Sequence, residues 1–129
     1  SGIHSNGLSL ARALGKEEGD EEYWRTLLES TRIYTPQVDL LRDAGVPIHG
    51  IAHITGGGLL NIARLNNSKD YHINAFPELS KVPSIFTELT NRSGLSTFEL
   101  FKTFNMGIGL CVITSDPKKT QDIVGSTGI

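Results

Sequence analysis

A single cysteine, Cys111, in 129 residues leaves the chain unable to form a disulfide of its own. The thiol stands in the apolar run 108–113, where burial and inertness are the ordinary outcome. No apolar run approaches the roughly 20 residues that a membrane-spanning helix needs. No leader pattern opens the sequence, so a cytoplasmic location and no membrane partner are expected. Neither sign of charge dominates: 12 Lys and Arg stand against 14 Asp and Glu, a formal net charge of −2. With the basic residues scattered, the electrostatic footprint of a nucleic-acid binder is missing and no nucleic-acid partner is expected. Metal ligands are also scarce. There is no CxxC, and the histidines are His4, His49, His53 and His72. His49 and His53 would pair on a helix, but the stretch between them reads as strand, which separates them by roughly 13 Å. No metal site is expected. Ser5 and Ser9 lie near His4 without a nucleophile elbow around them.

What is present describes an ordinary folded domain. Apolar residues make up 38% and charged residues 20% of the chain, enough for one domain with a real core. Helical spacing covers 8–14, with Ser5 or Asn6 available as a cap. Gly15 to Gly19 read as a loop, and the acids that follow start a helix over 21–28 with Tyr23, Trp24, Leu27 and Leu28 inward. Thr35 caps the next helix, Pro36 takes its first position, and Gly45 closes it behind Val38, Leu41 and Ala44. A strand leads through Ile48 to the glycines, and 71–76 alternates as a second strand. Helical spacing returns over 83–92. Ser96 and Glu99 form a capping box for a helix carrying Phe98, Phe101 and Phe104 as a core stripe, with Leu95 and Leu100 placed as its staple. The apolar run ending at Thr114 reads as a strand buried on both faces, and Asp116-Pro117 opens a last helix. Three or four strands among about six helical segments predict an α+β fold, a single α/β domain with a mixed sheet covered by helices.

The most informative stretch is Gly50-Ile51-Ala52-His53-Ile54-Thr55-Gly56-Gly57-Gly58-Leu59-Leu60-Asn61-Ile62-Ala63-Arg64. It reads as strand, tight loop and helix start. Three glycines keep no side chain between ligand and backbone, and a helix over 59–65 would aim its positive end at the same point. From the glycines alone, a plain turn and an anion cradle are both open. His53 at the strand's end stands where sheets of this kind hold ligand-contacting residues. Arg64 offers a fixed positive charge. A second glycine-flanked loop, His4 to Gly7, precedes the first helix in the same way, and the two loops can face one pocket.

Three ordered motifs resemble one enzyme family. The segment Ala52-His53-Ile54-Thr55-Gly56-Gly57-Gly58-Leu59, with Asn61-Ile62 and Arg64 after it, resembles the signature loop of the aminoimidazole ribonucleotide synthetases, the phosphoribosylformylglycinamidine cyclo-ligases. Gly2-Ile3-His4-Ser5-Asn6-Gly7-Leu8 resembles the loop and helix that begin their C-terminal domain. Thr103-Phe104-Asn105-Met106-Gly107-Ile108-Gly109 resembles their late helix-to-strand turn, and Thr31-Arg32-Ile33-Tyr34 also fits.

The resemblance implies ATP-dependent closure of formylglycinamidine ribonucleotide to aminoimidazole ribonucleotide in purine biosynthesis. It implies His53 and His4 as catalytic residues, and Asn6, Thr55, Gly56, Gly57, Gly58, Arg64 and Asn105 as contacts to substrate or phosphate. Residues 1–129 would be the C-terminal domain, lacking the N-terminal ATP-binding domain, with the loss of a last strand left open. In the family that N-terminal domain holds most of the ATP and Mg²⁺ site and much of the homodimer interface, so the isolated chain is expected to be inactive. The runner-up readings are a C-terminal domain of the formylglycinamidine ribonucleotide synthetase, thiamine monophosphate kinase or selenophosphate synthetase type, and a non-catalytic phosphate-binding module.

Overall fold

A computed structural model describes residues 2–3, 6–75 and 81–125. In chain order it contains α1 (Leu8–Glu18), α2 (Glu21–Leu27), α3 (Thr35–Asp43), β1 (Ile48–His53), a 3₁₀ helix (Gly58–Arg64), α4 (Ser84–Ser93), α5 (Thr97–Thr103), β2 (Leu110–Thr114) and α6 (Pro117–Gly125). Helices and an antiparallel strand pair make the fold α+β. The sheet is smaller than expected. Among the described residues it is β1 against β2 alone, with Gly50 opposite Ile113, Ala52 opposite Cys111 and His53 opposite Leu110. The register shifts between Ile48 and Gly50. The strand expected over 71–76 does not form: residues 71–75 carry no regular structure, and Phe76 lies outside the described residues. Alternation shows which side chains share a face, but a strand also needs a neighbour to accept its ladder.

Local chemistry explains several element ends. Asp20 caps α2 by accepting the Tyr23 N–H at 2.9 Å. At Gly45, φ is +68°, the Val46 N–H reaches the Leu41 carbonyl and the Gly45 N–H the Arg42 carbonyl, each at 2.9 Å. These two bonds define a Schellman ending for α3. The Ser96–Glu99 capping box forms as its spacing predicts. Thr35, in contrast, is the first residue of α3 and gives no side-chain cap. Helix α1 also runs on through Gly15, where a loop was expected. A Cβ at Gly15 would overlap the Tyr23 ring, so this glycine permits close packing of α2 on α1.

The main core joins α1, α2, α4 and α5 through Ala11, Tyr23, Leu27, Phe86, Leu89 and Phe104. Trp24 packs on it half-buried, and Tyr23 rather than Trp24 is enclosed. Two expected core residues stand in solvent instead. Leu28, beyond the end of α2, is 82% exposed, and Phe98 is 76% exposed. Residues three apart advance about 300°, so Phe98 is turned some 120° from the fully buried Phe104. Ala44 is exposed as well, while Leu41 is buried. Every residue of β2 is half-buried, so the expected burial on both faces is only partial.

Candidate functional site

The strand pair leads directly into the glycine loop. Beyond His53, the Ile54 N–H donates to the Gly109 carbonyl at 2.9 Å, and the Gly58 N–H then closes back on the Thr55 carbonyl at 2.9 Å. That four-residue turn holds Gly57 at φ 94° and ψ 1°, the angles of the third residue of a type II turn, which favours glycine there. The three glycines have different surroundings. Gly56 is exposed, and a Cβ on it would meet nothing within 4 Å. Gly58, at φ +56°, is buried, and a Cβ there would overlap the Phe101 carbonyl oxygen at the end of α5. Gly58 is thus a packing position whose N–H is already used.

Two asparagines hold this turn. Asn6 Nδ2 donates to the Thr55 carbonyl at 2.8 Å. Asn61 Oδ1 accepts from the Thr55 N–H at 2.7 Å and the Thr55 hydroxyl at 3.1 Å, while its Nδ2 donates to the Gly56 carbonyl at 2.9 Å. In a trans peptide the C=O and the following N–H point in opposite directions. With the Thr55 and Gly56 carbonyls turned to Asn6 and Asn61, the N–H groups of Gly56 and Gly57 point away from them. Neither donates to any described residue. The helix expected after the glycines is a 3₁₀ segment of seven residues, so the case for an anion rests on these two main-chain donors and not on a helix dipole.

The predicted residues separate into groups. His53 is exposed at the end of β1, with its ring edge-on to Tyr34, centroids 6.1 Å apart and planes at 68°. Tyr34 precedes α3, so the fold unites the Thr31 to Tyr34 motif with the signature loop. Asn6 and Asn105 are both buried at 3% exposure. Asn105 Nδ2 donates to the Gly2 carbonyl at 2.8 Å and its Oδ1 accepts from the Gly107 N–H at 2.9 Å, which ties the first motif to the third. Asn6 also holds its Oδ1 buried without a hydrogen-bond partner among the described residues. Arg64 is exposed at the far end of the 3₁₀ helix, about 12 Å along the axis from Gly58. His4 lies outside the described residues.

The sequence marks Asn61 by its place in the signature segment, three residues after the glycines, and the fold shows it bonded to the turn. Cys111, opposite Ala52, is half-buried, and burial pushes its thiol up, which disfavours the thiolate. Among the described residues, no three His, Cys, Asp or Glu side chains stand together as a metal site. An apolar cleft of about 430 Å³ lies elsewhere, between Leu60, Ile62, Tyr71, Phe98 and Phe101, and includes none of the predicted residues.

These elements define an α+β domain whose antiparallel strand pair ends in a glycine turn exposed at Gly56, with the Gly56 and Gly57 N–H groups turned away from the asparagines that hold it. The chain belongs to the AIR synthase related protein family, as its C-terminal domain, which matches residues 1–129. A phosphoribosylformylglycinamidine cyclo-ligase of Methanococcus vannielii is 45% identical over 131 residues, covering 89% of this chain and 35% of the relative. The enzyme of the same name from Pyrococcus furiosus is 45% identical over 129 residues, covering 94% of this chain and 36% of the relative. That of Methanothermobacter thermautotrophicus is 37% identical over 143 residues, covering 97% and 40%. The chain therefore spans little more than a third of the length of these relatives.

Proposed function

We propose that the chain is the C-terminal part of an ATP-dependent phosphoribosylformylglycinamidine cyclo-ligase, acting in purine biosynthesis. The observation that carries this reading is the match of the family's C-terminal domain along all 129 residues, with relatives of that name at up to 45% identity. It favours the cyclo-ligase over the other ATP-dependent enzymes of similar sequence and over a non-catalytic module. In the reaction, the formyl oxygen of formylglycinamidine ribonucleotide is phosphorylated by ATP. The amidine nitrogen then attacks that carbon, and phosphate leaves as the imidazole closes. Such chemistry depends on positioning and charge stabilisation more than on covalent help.

In our reading, the N–H groups of Gly56 and Gly57 contact a phosphate oxygen, either of the substrate's ribose phosphate or of the transferred phosphoryl group. Thr55 shapes the turn, and His53 and His4 are the titratable partners. Asn6 and Asn105 hold the loops that frame the site, and Gly58 supports the turn from behind. Arg64 supplies long-range positive charge at most. ATP and Mg²⁺ belong mainly to an N-terminal domain. Leu28 and Ile33, 82% and 75% exposed beside the Tyr34 motif, suit the contact with that domain. The whole enzyme works as a homodimer in the cytoplasm. No helix among the described residues is long and apolar enough to cross a membrane.

Titration of the ¹⁵N-labelled chain with formylglycinamidine ribonucleotide and, separately, with ATP tests the reading. Amide shifts at Gly56 and Gly57 with the ribonucleotide and few with ATP are expected; no shift with either ligand overturns it.

A further inference from the structure

Asn61 is 3% exposed and begins no motif of its own, yet its carboxamide is fully engaged with the glycine turn. Oδ1 takes both donors of Thr55, and Nδ2 takes the carbonyl of Gly56. A carboxamide carries its acceptor and its donor on two separate atoms of one short side chain, so it can take an N–H and a carbonyl at once. The bond to the Gly56 carbonyl matters most, because it fixes the peptide between Gly56 and Gly57. Rotation of that one peptide would exchange its groups, turning the Gly57 N–H inward and the Gly56 carbonyl outward. Glycine on both sides makes the rotation sterically easy. A ligand oxygen would then meet a carbonyl where it now meets a donor. The turn also rests directly on the amide: a Cβ at Gly57 would stand 3.3 Å from Asn61 Nδ2.

We propose that Asn61 is a positioning residue, holding the Gly56–Gly57 peptide in the orientation that presents two N–H groups, and no carbonyl, to an anion. This rests on the reading of the turn as a phosphate-contacting wall. The selectivity of that wall for anions is then set by Asn61 from beneath, without contact to the ligand. Asn6 sets the other donor through the Thr55 carbonyl, which also accepts from Gly58. The Gly56 carbonyl has no second described donor, which leaves Asn61 as its holder.

The test uses the 129-residue chain, inorganic sulfate as probe, and amide resonances that report on folded molecules alone. Asn61→Asp keeps the two Thr55 bonds and loses the donor to Gly56; Asn61→Ala loses all three. Sulfate affinity at Gly56 and Gly57 is expected to fall by about tenfold or more in both variants. Without sulfate, the Gly57 resonances of both should move toward those of the rotated peptide. A merely structural residue would lower the thermal midpoint and leave the affinity of folded molecules unchanged, and that result overturns the assignment. If the unsubstituted chain shows no saturable shift at Gly56 and Gly57, the phosphate reading itself fails. Wild-type binding with an unaltered Asn61→Asp variant removes only the role of Asn61.

Discussion

Asn6 and Thr55 stand 49 residues apart in sequence and are joined by a 2.8 Å hydrogen bond from the Asn6 amide to the Thr55 carbonyl. The bond ties the loop before α1 to the end of β1, and the same peptide turns the Gly56 N–H outward. It also explains why Asn6 does not cap α1, whose N-terminal position is taken by Gly7 without any side-chain bond.

Asn6→Ala is expected to lower stability by about 1–2 kcal/mol, since the Thr55 carbonyl keeps its bond from Gly58. Asn6→Asp should cost more, because a carboxylate oxygen would replace a buried amide oxygen that already has no described partner. Urea unfolding of the two variants measures both. An aspartate variant as stable as the alanine one would contradict the burial argument.

Tyr23 provides an alkaline signature. Its hydroxyl donates to the Ala11 carbonyl at 2.5 Å, and the Arg92 guanidinium lies 4.9 Å from the ring centre. Burial raises its ionisation above the ordinary 10.0, opposed in part by Arg92. Because the folded value is the higher one, this contribution is complete below pH 10.0 and is lost as pH rises above it. Tyr23→Phe should lose about 1 kcal/mol at neutral pH and show a smaller further loss between pH 9.5 and 11 than the unsubstituted chain. Identical losses in the two proteins would rule out Tyr23 as the source.

Features decided within a few residues were legible in the sequence. The Ser96 capping box, the Gly45 ending and the strand before the glycines depend on local backbone chemistry, and all three are present. Features decided by distant partners were not. Nothing near Gly15 or Gly58 tells that one meets the Tyr23 ring and the other the end of α5. Nothing near Phe98 tells that its helix buries Leu100 and Phe104 instead. The candidate site divides in the same way. The open turn and His53 follow from local pattern, whereas the clamps from Asn6 and Asn61 and the Tyr34 ring beside His53 emerge only from the fold.

The capping box of α5 makes an acid-side prediction. The Glu99 carboxylate accepts from the Ser96 hydroxyl at 2.7 Å and from the Ser96 N–H at 3.0 Å, and these bonds hold its ionisation below the usual carboxylate range. A depressed folded value contributes stability that is complete above the unfolded value and fades as pH falls through the folded one. Glu99→Gln keeps an acceptor without the titrating charge. Its thermal midpoint should therefore fall less than that of the unsubstituted chain between pH 5 and pH 3, measured by circular dichroism. Equal falls would show that the box does not contribute to acid lability.

Alanine in place of two neighbouring glycines should separate folding from ligand contact. At Gly58 the added methyl would overlap the Phe101 carbonyl oxygen and force an unfavourable backbone angle, with no flexible side chain available to yield. Strain of this kind costs about 1–3 kcal/mol before any repacking, so Gly58→Ala should unfold at markedly lower urea. At Gly56 the same methyl meets nothing within 4 Å and φ is not positive. Gly56→Ala should therefore stay within about 0.5 kcal/mol of the parent, the range of ordinary surface changes. Its methyl nevertheless stands beside the outward N–H groups, where a phosphate oxygen would approach. Weakened binding of formylglycinamidine ribonucleotide with unchanged stability is the expected result for Gly56→Ala. Parental affinity in that variant would move the ligand away from the turn, whatever the behaviour of Gly58→Ala.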